Sequence, residues 1–328
     1  MKKITTLALL LLFAMTSHAH SVVEKRGNYK ITHEWMYNGT QWSCEINIPV
    51  GMYRYYQRRA HKSDDMVQFV LSDYDRQYLR GLVTLFRERG AFEGYTDRDN
   101  LGNVISFVQS LQYITDMDSK WEDEYVRFPV ETLVDGKGDC EDMSVLAAAI
   151  LHEMGYDVKL VALPDHLALA VDCDCEGTYY AYEGKKYYYV EVTNPGWAIG
   201  QIPDQFRSAK VKLSSLVYRP KVRLKRSSYR NETYHLGDYS VPFWVQCQLE
   251  NAGPGTTKDL SVRVLFSAYG GDTVAERVFK LDELMEGVSA SHTFVVDVPR
   301  PMRGSLEIRV EGANFVMESM KFANIDLQ

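Results

Sequence analysis

The sequence has no apolar run of membrane-spanning length, which argues against a transmembrane helix. Positive charge is also short: 37 Lys and Arg stand against 44 Asp and Glu, for a formal net charge of -7. General nucleic-acid binding needs net phosphate neutralisation, so no nucleic-acid partner is expected. Proline is sparse, at 10, and glycine, at 22, follows no repeat, which excludes collagen-like chains. Cysteine is scarce and odd in number, at five, so at least one thiol stays outside any intramolecular disulfide. Tyrosine, by contrast, is abundant, at 22 of 328 residues. With 45% hydrophobic and 25% charged residues the chain is globular in type, and at roughly 150 residues per domain its length suggests about two domains.

Residues 1–19 read as a cleavable signal peptide. Lys2 and Lys3 precede a short apolar run from Leu7 to Met15, and Ser17-His18-Ala19 offers small residues at a cleavage site. The expected location is therefore secreted or periplasmic, an oxidising setting for the cysteines.

Residues 20–60 read as strands, with Asn38-Gly39 as a hairpin turn between Tyr29–Tyr37 and Trp42–Ile48. Helical spacing of apolar residues predicts one helix over 64–92 and another from Leu101 to Tyr113. Met143, Leu146, Ala147, Ile150, Leu151 and Met154 share one helical face, so a helix should begin near Cys140 and end at Gly155. Val158–Leu163 and Leu167–Val171 read as buried strands. Tyr179–Tyr182 and Lys186–Val192 form a hairpin pattern about Glu183-Gly184-Lys185, with Tyr187, Tyr189 and Glu191 on one face.

Residues 206–232 carry nine basic residues with no acid between Arg207 and Arg230. This stretch reads as a solvated connector, or alternatively as a strip that binds an anionic polymer. Residues 233–328 show about six or seven short strands punctuated by turn residues, the pattern of an immunoglobulin-like sandwich.

Three elements could carry chemistry: Gly138-Asp139-Cys140-Glu141-Asp142, Pro164-Asp165-His166 and Glu191-Val192-Thr193. A cysteine at a helix N-terminus gains thiolate stabilisation from the macrodipole. A histidine opening the next strand can take the thiol proton and later protonate a leaving group. A carboxylate on the neighbouring strand can fix the imidazole tautomer. Asp139, Glu141 and Asp142 crowd the cysteine and oppose thiolate formation, while Asp139 is also a natural helix cap.

This constellation resembles the transglutaminase-like superfamily, whose catalytic core is similar to papain. Cys140 matches the nucleophile, His166 the base, and Glu191-Val192-Thr193 stands where the family carries Asp-Pro-Thr. Glu131-Thr132-Leu133 also matches the secreted bacterial members. Glutamate for aspartate and Val192 for proline are departures, so Asn194 is a rival for the orienting role. The backbone N–H of Cys140 is the first candidate oxyanion donor and Gln109 the second. The resemblance implies an α+β papain-like core with an N-terminal β-rich extension over residues 20–205. It implies acyl transfer through a Cys140 thioester, with peptides, including cell-wall peptides, as substrates and hydrolysis as the outcome. An amine-accepting cross-linker and a non-catalytic binding or assembly protein are the alternatives.

No cofactor and no metal are expected. Cys173-Asp174-Cys175 could place two thiols on one strand face but lacks partners at metal-ligand spacing. His33, His61, His152, His235 and His292 show no ligand spacing to one another and read as structural or surface residues. With Cys140 set aside, Cys44, Cys173, Cys175 and Cys247 allow three pairings. The Cys173–Cys175 pairing is the strained one, so pairing with Cys44 or Cys247, or free thiols, is expected.

Overall fold

The computed structural model describes residues 19–122, 124–231, 239–300 and 302–327. The leader expected at 1–19 lies outside these residues up to position 18, as does His235. The chain divides into two compact units: one runs to Val70 and resumes over Asp75–Ser215, and the other joins Leu71–Tyr74 to Leu216–Gln328. By residue, 42% is strand and 23% helix.

The first unit opens with an antiparallel meander of β1 (His20–Lys25), β2 (Asn28–Tyr37) and β3 (Thr40–Pro49). Asn38 and Gly39 both take positive φ, as the two-residue hairpin demands. Along β3, Trp42, Cys44, Ile46 and Ile48 alternate inward. Helices follow: α1 (Val50–Tyr56), α2 (Val67–Val70), α3 (Arg76–Phe92) and α4 (Asp97–Gln109). Trp35 of β2 packs edge-on to Phe107 of α4, and its indole N–H donates to Asn103 Oδ1 at 2.8 Å.

The single helix expected over 64–92 is in fact two, α2 and α3, broken at 71–75. Leu71–Tyr74 leaves the helical path and joins the second unit, where the Asp73 N–H and the Tyr74 hydroxyl donate to Glu286. Ser72, Asp73 and Asp75 offer side-chain alternatives to helical hydrogen bonds, and here the break wins over the apolar periodicity. The helix expected from Leu101 starts earlier, at Asp97, because Thr96 and Asp99 form a reciprocal cap.

Two short strands, β4 (Gln112–Tyr113) and β5 (Lys137–Gly138), pair in parallel across α5 (Asp116–Lys120) and α6 (Pro129–Asp135). Then α7 (Cys140–Glu153) packs on a five-stranded antiparallel sheet. Its order is β10 (Lys212–Ser215), β6 (Val158–Leu163), β7 (His166–Asp172), β9 (Lys185–Val190) and β8 (Tyr179–Tyr182). Eleven residues of α7 are buried, which is why its sequence is apolar almost all round. Ala168, Ala170, Tyr187 and Tyr189 share a second cluster with Ile202, against which Phe206 and Val211 pack. The abundant tyrosines of this hairpin thus serve mainly as sheet packing.

The second unit holds two sheets. One is ordered β11 (Val222–Asn231), β12 (Ser240–Asn251), β15 (Ser289–Pro299), and the other β14 (Thr273–Lys280), β13 (Ser261–Ala268), β16 (Met302–Glu311), β17 (Glu318–Leu327). Their inward rows, including Phe243, Val245, Leu249, Val264, Phe266, Ile308 and Val310, form one continuous core.

The basic stretch 206–232, expected as a connector, contains β10 and β11 instead. Val222 and Leu224 are buried while Arg223 and Lys225 are exposed, an alternation that the charge run conceals. The disulfide expectation is also corrected. Cys173 pairs with Cys175, with Cα atoms 5.4 Å apart and so within ordinary disulfide reach, while Cys44, Cys140 and Cys247 are free and buried. Cys44 and Cys247 each sit on an inward strand row, with no cysteine opposite them in register.

Candidate active site

The site is built where α7 begins. Asp139 caps the helix: its carboxylate accepts from the Asp142 N–H, and Asp142 accepts from the Asp139 N–H, each at 3.3 Å. Gly138 is required there, because a Cβ would lie 2.5 Å from Asp142 Cβ. Cys140 thus stands in the first turn, buried, near the positive end of the macrodipole.

The partner strand is pinned to this helix end by Ser144, whose hydroxyl donates to Leu167 O at 2.8 Å. The Leu167 N–H also approaches the Cys140 sulfur. His166, one residue earlier, opens β7 after the turn Pro164-Asp165, where proline precedes a residue of positive φ in the type II manner. Its ring stacks on Phe206, with centroids 5.0 Å apart and planes 6° from parallel.

His166 Nε2 lies 3.0 Å from Glu191 Oε2. An ionised carboxylate only accepts, so Nε2 is the donor in this contact. Glu191 also accepts from the Tyr189 hydroxyl at 2.8 Å, the Val192 and Thr193 N–H groups at 3.0 and 3.1 Å, and the Thr193 hydroxyl at 2.7 Å. Burial raises this carboxyl, but hydrogen bonds from His166, Thr193 and Tyr189 and the His166 charge outweigh it and hold it at about 2. The added methylene of glutamate is therefore accommodated, and the Glu191 carboxylate reaches His166 directly.

Two expected site residues stand elsewhere. Asn194 is exposed, and its amide donates to the Thr193 hydroxyl at 3.4 Å rather than to His166. Gln109, the second oxyanion candidate, has its amide engaged by backbone carbonyls. It is buried, and its amide donates to Glu191 O at 2.8 Å and Trp197 O at 3.1 Å, so it ties α4 to the loop that carries the carboxylate.

The thiol itself donates to Glu141 Oε2 at 2.7 Å and not to His166. Burial, followed by the charge and hydrogen bond of Glu141, pushes Cys140 well above an ordinary thiol, and only the Leu167 N–H opposes them. Tyr113, on β4 beside Gly138, is a site residue that sequence reading missed. Its hydroxyl is pushed up to about 12, first by partial burial and then by the charges of Cys140, Asp139, Glu141 and Glu191, although the side chain is partly exposed. The Gln112-Tyr113 strand pairing has no local sequence signal.

A second missed residue is Arg127. It is wholly buried and binds Asp116 and Asp135 at 3.1 Å each and Asp142 at closer range. Burial lowers its guanidinium and Asp142 and Asp135 more than restore it. Oxygens of Asp116, Asp139 and Asp142 lie within 4.8 Å of one another, a grouping that could hold a cation, but Arg127 already bonds two of the three.

Residues 90–197 match the model of the transglutaminase-like domain family. This stretch is a transglutaminase-like domain. It contains Cys140, His166 and Glu191 together with Gln109, Tyr113 and Arg127. None of the curated proteins matches the chain. Among solved structures, the chain is similar to a β-glucuronidase of glycoside hydrolase family 2, at 10% identity over 52% of this chain and 21% of that one, with a TM-score of 0.27. A glycosyl hydrolase family 2 member from Bacteroides cellulosilyticus matches at 10% identity over 52% and 26% of the two chains, with a TM-score of 0.26. An ApaA protein from Bordetella pertussis matches at 14% identity over 34% of this chain and 95% of that one, with a TM-score of 0.25. The chain spans about a fifth of the β-glucuronidase. At such scores these likenesses carry no conclusion. No helix among the described residues is long and apolar enough to cross a membrane.

Proposed function

We propose that the transglutaminase-like domain is a thiol enzyme that cleaves peptide or amide bonds through a Cys140 thioester. The observation that carries this reading is the His166–Glu191 contact, which orients a stacked imidazole one residue before Leu167, whose carbonyl is bound by Ser144 of the helix that bears Cys140. In the proposed reaction Nδ1 takes the Sγ proton and the thiolate attacks the carbonyl carbon. The C–N bond then breaks as the imidazolium gives its proton to the leaving amine. Water, deprotonated by the same nitrogen, hydrolyses the thioester and restores the thiol. The Cys140 N–H, with the Tyr113 hydroxyl in place of Gln109, supplies the oxyanion donors. Substrates of this class include cell-wall peptides, reached after removal of the leader at 1–19 and export. The second unit is proposed as an immunoglobulin-like sandwich, and its exposed basic residues as contacts for an anionic polymer.

The test compares labelling by a thiol-reactive probe and hydrolysis of peptide amides in the wild type, Cys140→Ala and His166→Ala. Activity is expected in the wild type and its loss in both variants, and full activity in Cys140→Ala refutes the mechanism. A second reading, a binding or assembly protein on this scaffold, is favoured by the hydrogen bond that keeps the thiol on Glu141. Alkylation across a pH series separates the two: selective reaction of Cys140 with a depressed pKa supports the enzyme, and an inert thiol supports the scaffold.

A further inference from the structure

The second unit contains a cleft of about 710 Å³ that the acyl-transfer chemistry does not use. Register places three of its lining residues in a row across neighbouring strands: Ser227 of β11 opposite Cys247 of β12, and Cys247 opposite His292 of β15. Directly opposed residues of antiparallel strands share one face. The alternation of Val245, Cys247 and Leu249 shows that this face is the inward one. Met320 of the facing sheet lines the same cleft. Its strand is brought there by the contact between Tyr229 and Phe322, with ring centroids 5.1 Å apart, each two residues along from Ser227 and Met320.

Well-packed sandwiches fill such rows with aliphatic side chains, as this one does at Val245 and Leu249 on either side. Here the row carries, within that same core, a free thiol that is 3% exposed, and beside it a buried serine oxygen with no hydrogen-bond partner. A β-bulge at Leu224/Arg226 lies beside it, a device common next to binding sites.

We infer that Cys247, His292 and Met320 form a binding site for a monovalent soft metal ion, Cu(I). Thiolate, neutral imidazole and thioether together are the donor set that favours this ion. Charge selects the oxidation state. One thiolate and one monovalent cation sum to zero, as a mostly buried site requires, whereas a divalent ion leaves a buried positive charge. Arg226, which also lines the cleft, adds to the penalty against the divalent ion, while Lys225 is paired with Glu250 at 2.7 Å. Binding replaces the S–H bond of Cys247 by a sulfur–metal bond and releases one proton to solvent. The oxidation state of the metal does not change. Sequence spacing hides the site, because Cys247 and His292 meet through the register of β12 and β15 and Met320 lines the cleft from the facing sheet.

The test uses the full chain carrying Cys140→Ala, which removes the other site's thiol, titrated anaerobically with Cu(I) buffered by bicinchoninate. One Cu(I) per chain is expected, with sulfur and nitrogen scatterers in its X-ray absorption spectrum. Outer-shell changes already weaken metal sites by roughly 10–100-fold, so Cys247→Ser is expected to cost about 100-fold or more, and His292→Gln and Met320→Leu at least about 10-fold each. Failure of the chain to retain Cu(I) overturns the site. So does retention at unchanged affinity in all three variants. Zn(II) bound at these residues as tightly as Cu(I) overturns the charge argument and the assignment with it. If Cys247→Ser does not fold, the half-buried positions His292 and Met320 decide the matter, with circular dichroism as the folding control.

Discussion

Replacing Glu191 by glutamine tests how the site is held. The side chain is buried, and five donated hydrogen bonds converge on its two oxygens. Glutamine keeps the shape but removes the charge, and it turns one acceptor into an NH₂ group facing donors. The wild-type carboxyl is held at about 2 against an ordinary 4.5. At about 1.4 kcal/mol per tenfold, the ionised form contributes about 3 kcal/mol to folding. Because the folded value is the lower one, this contribution is complete above 4.5 and fades as pH falls through 4.5 towards 2. Urea unfolding, read by fluorescence of the buried Trp35 and Trp42, should show Glu191→Gln less stable by about 3 kcal/mol at neutral pH. The gap should narrow steadily over that acidic window. A gap that is the same at neutral pH and near pH 2, or absent throughout, refutes the account of Glu191 as an ionised hub.

Other substitutions probe the supporting residues. Arg127→Met leaves Asp116, Asp135 and Asp142 without their buried counter-charge and should cost about 3–5 kcal/mol, read as a drop in Tm. Gln109→Leu strips donors from one buried and one part-buried carbonyl and should cost about 2 kcal/mol. It should also speed hydrogen exchange in 191–197 before any global change, and unaltered exchange there would count against the tether. Thiol titration of the unfolded, unreduced chain should find the three free cysteines, Cys44, Cys140 and Cys247, and reduction should expose Cys173 and Cys175 as well.

The parts of the fold that rest on local period were legible in the sequence. The α7 face, the β7 run and the Asn38-Gly39 turn each follow from spacing within one element. The placement of Cys140, His166 and Glu191 was legible because the first two open an element and the third directly follows one. Arg127 was not, since its three carboxylates come from α5, α6 and α7 and meet only when those elements pack. Gln109 drew attention for its polarity within an apolar helix, but its role depends on a loop more than eighty positions away. β11 was hidden because its outward residues are basic, and a run of charge masks an alternation of period two. The cysteine pairing was misjudged because the local bend after β7 brings Cys173 and Cys175 together, while the register leaves Cys44 and Cys247 with no cysteine opposite.

The acids around Cys140 look alike in sequence but differ in what they do. Asp142 faces Arg127 and the Asp139 N–H, so its charge is spent on structure. Asp139 is the helix cap, and burial beside Asp142 pushes its carboxyl up, which lowers its share of the negative field. Glu141 alone accepts from the thiol. Stability and reactivity should therefore separate. Asp142→Asn should cost about 3 kcal/mol or more, because it leaves Arg127 short of a buried partner. Glu141→Gln removes a like charge in contact with the sulfur and should leave Tm within about 1 kcal/mol equivalent of the wild type. It should raise the rate of Cys140 alkylation near neutral pH by about tenfold or more. If Glu141→Gln left that rate unchanged while Asp142→Asn raised it, the thiol would be governed by the whole acidic cluster rather than by its one hydrogen-bonded neighbour.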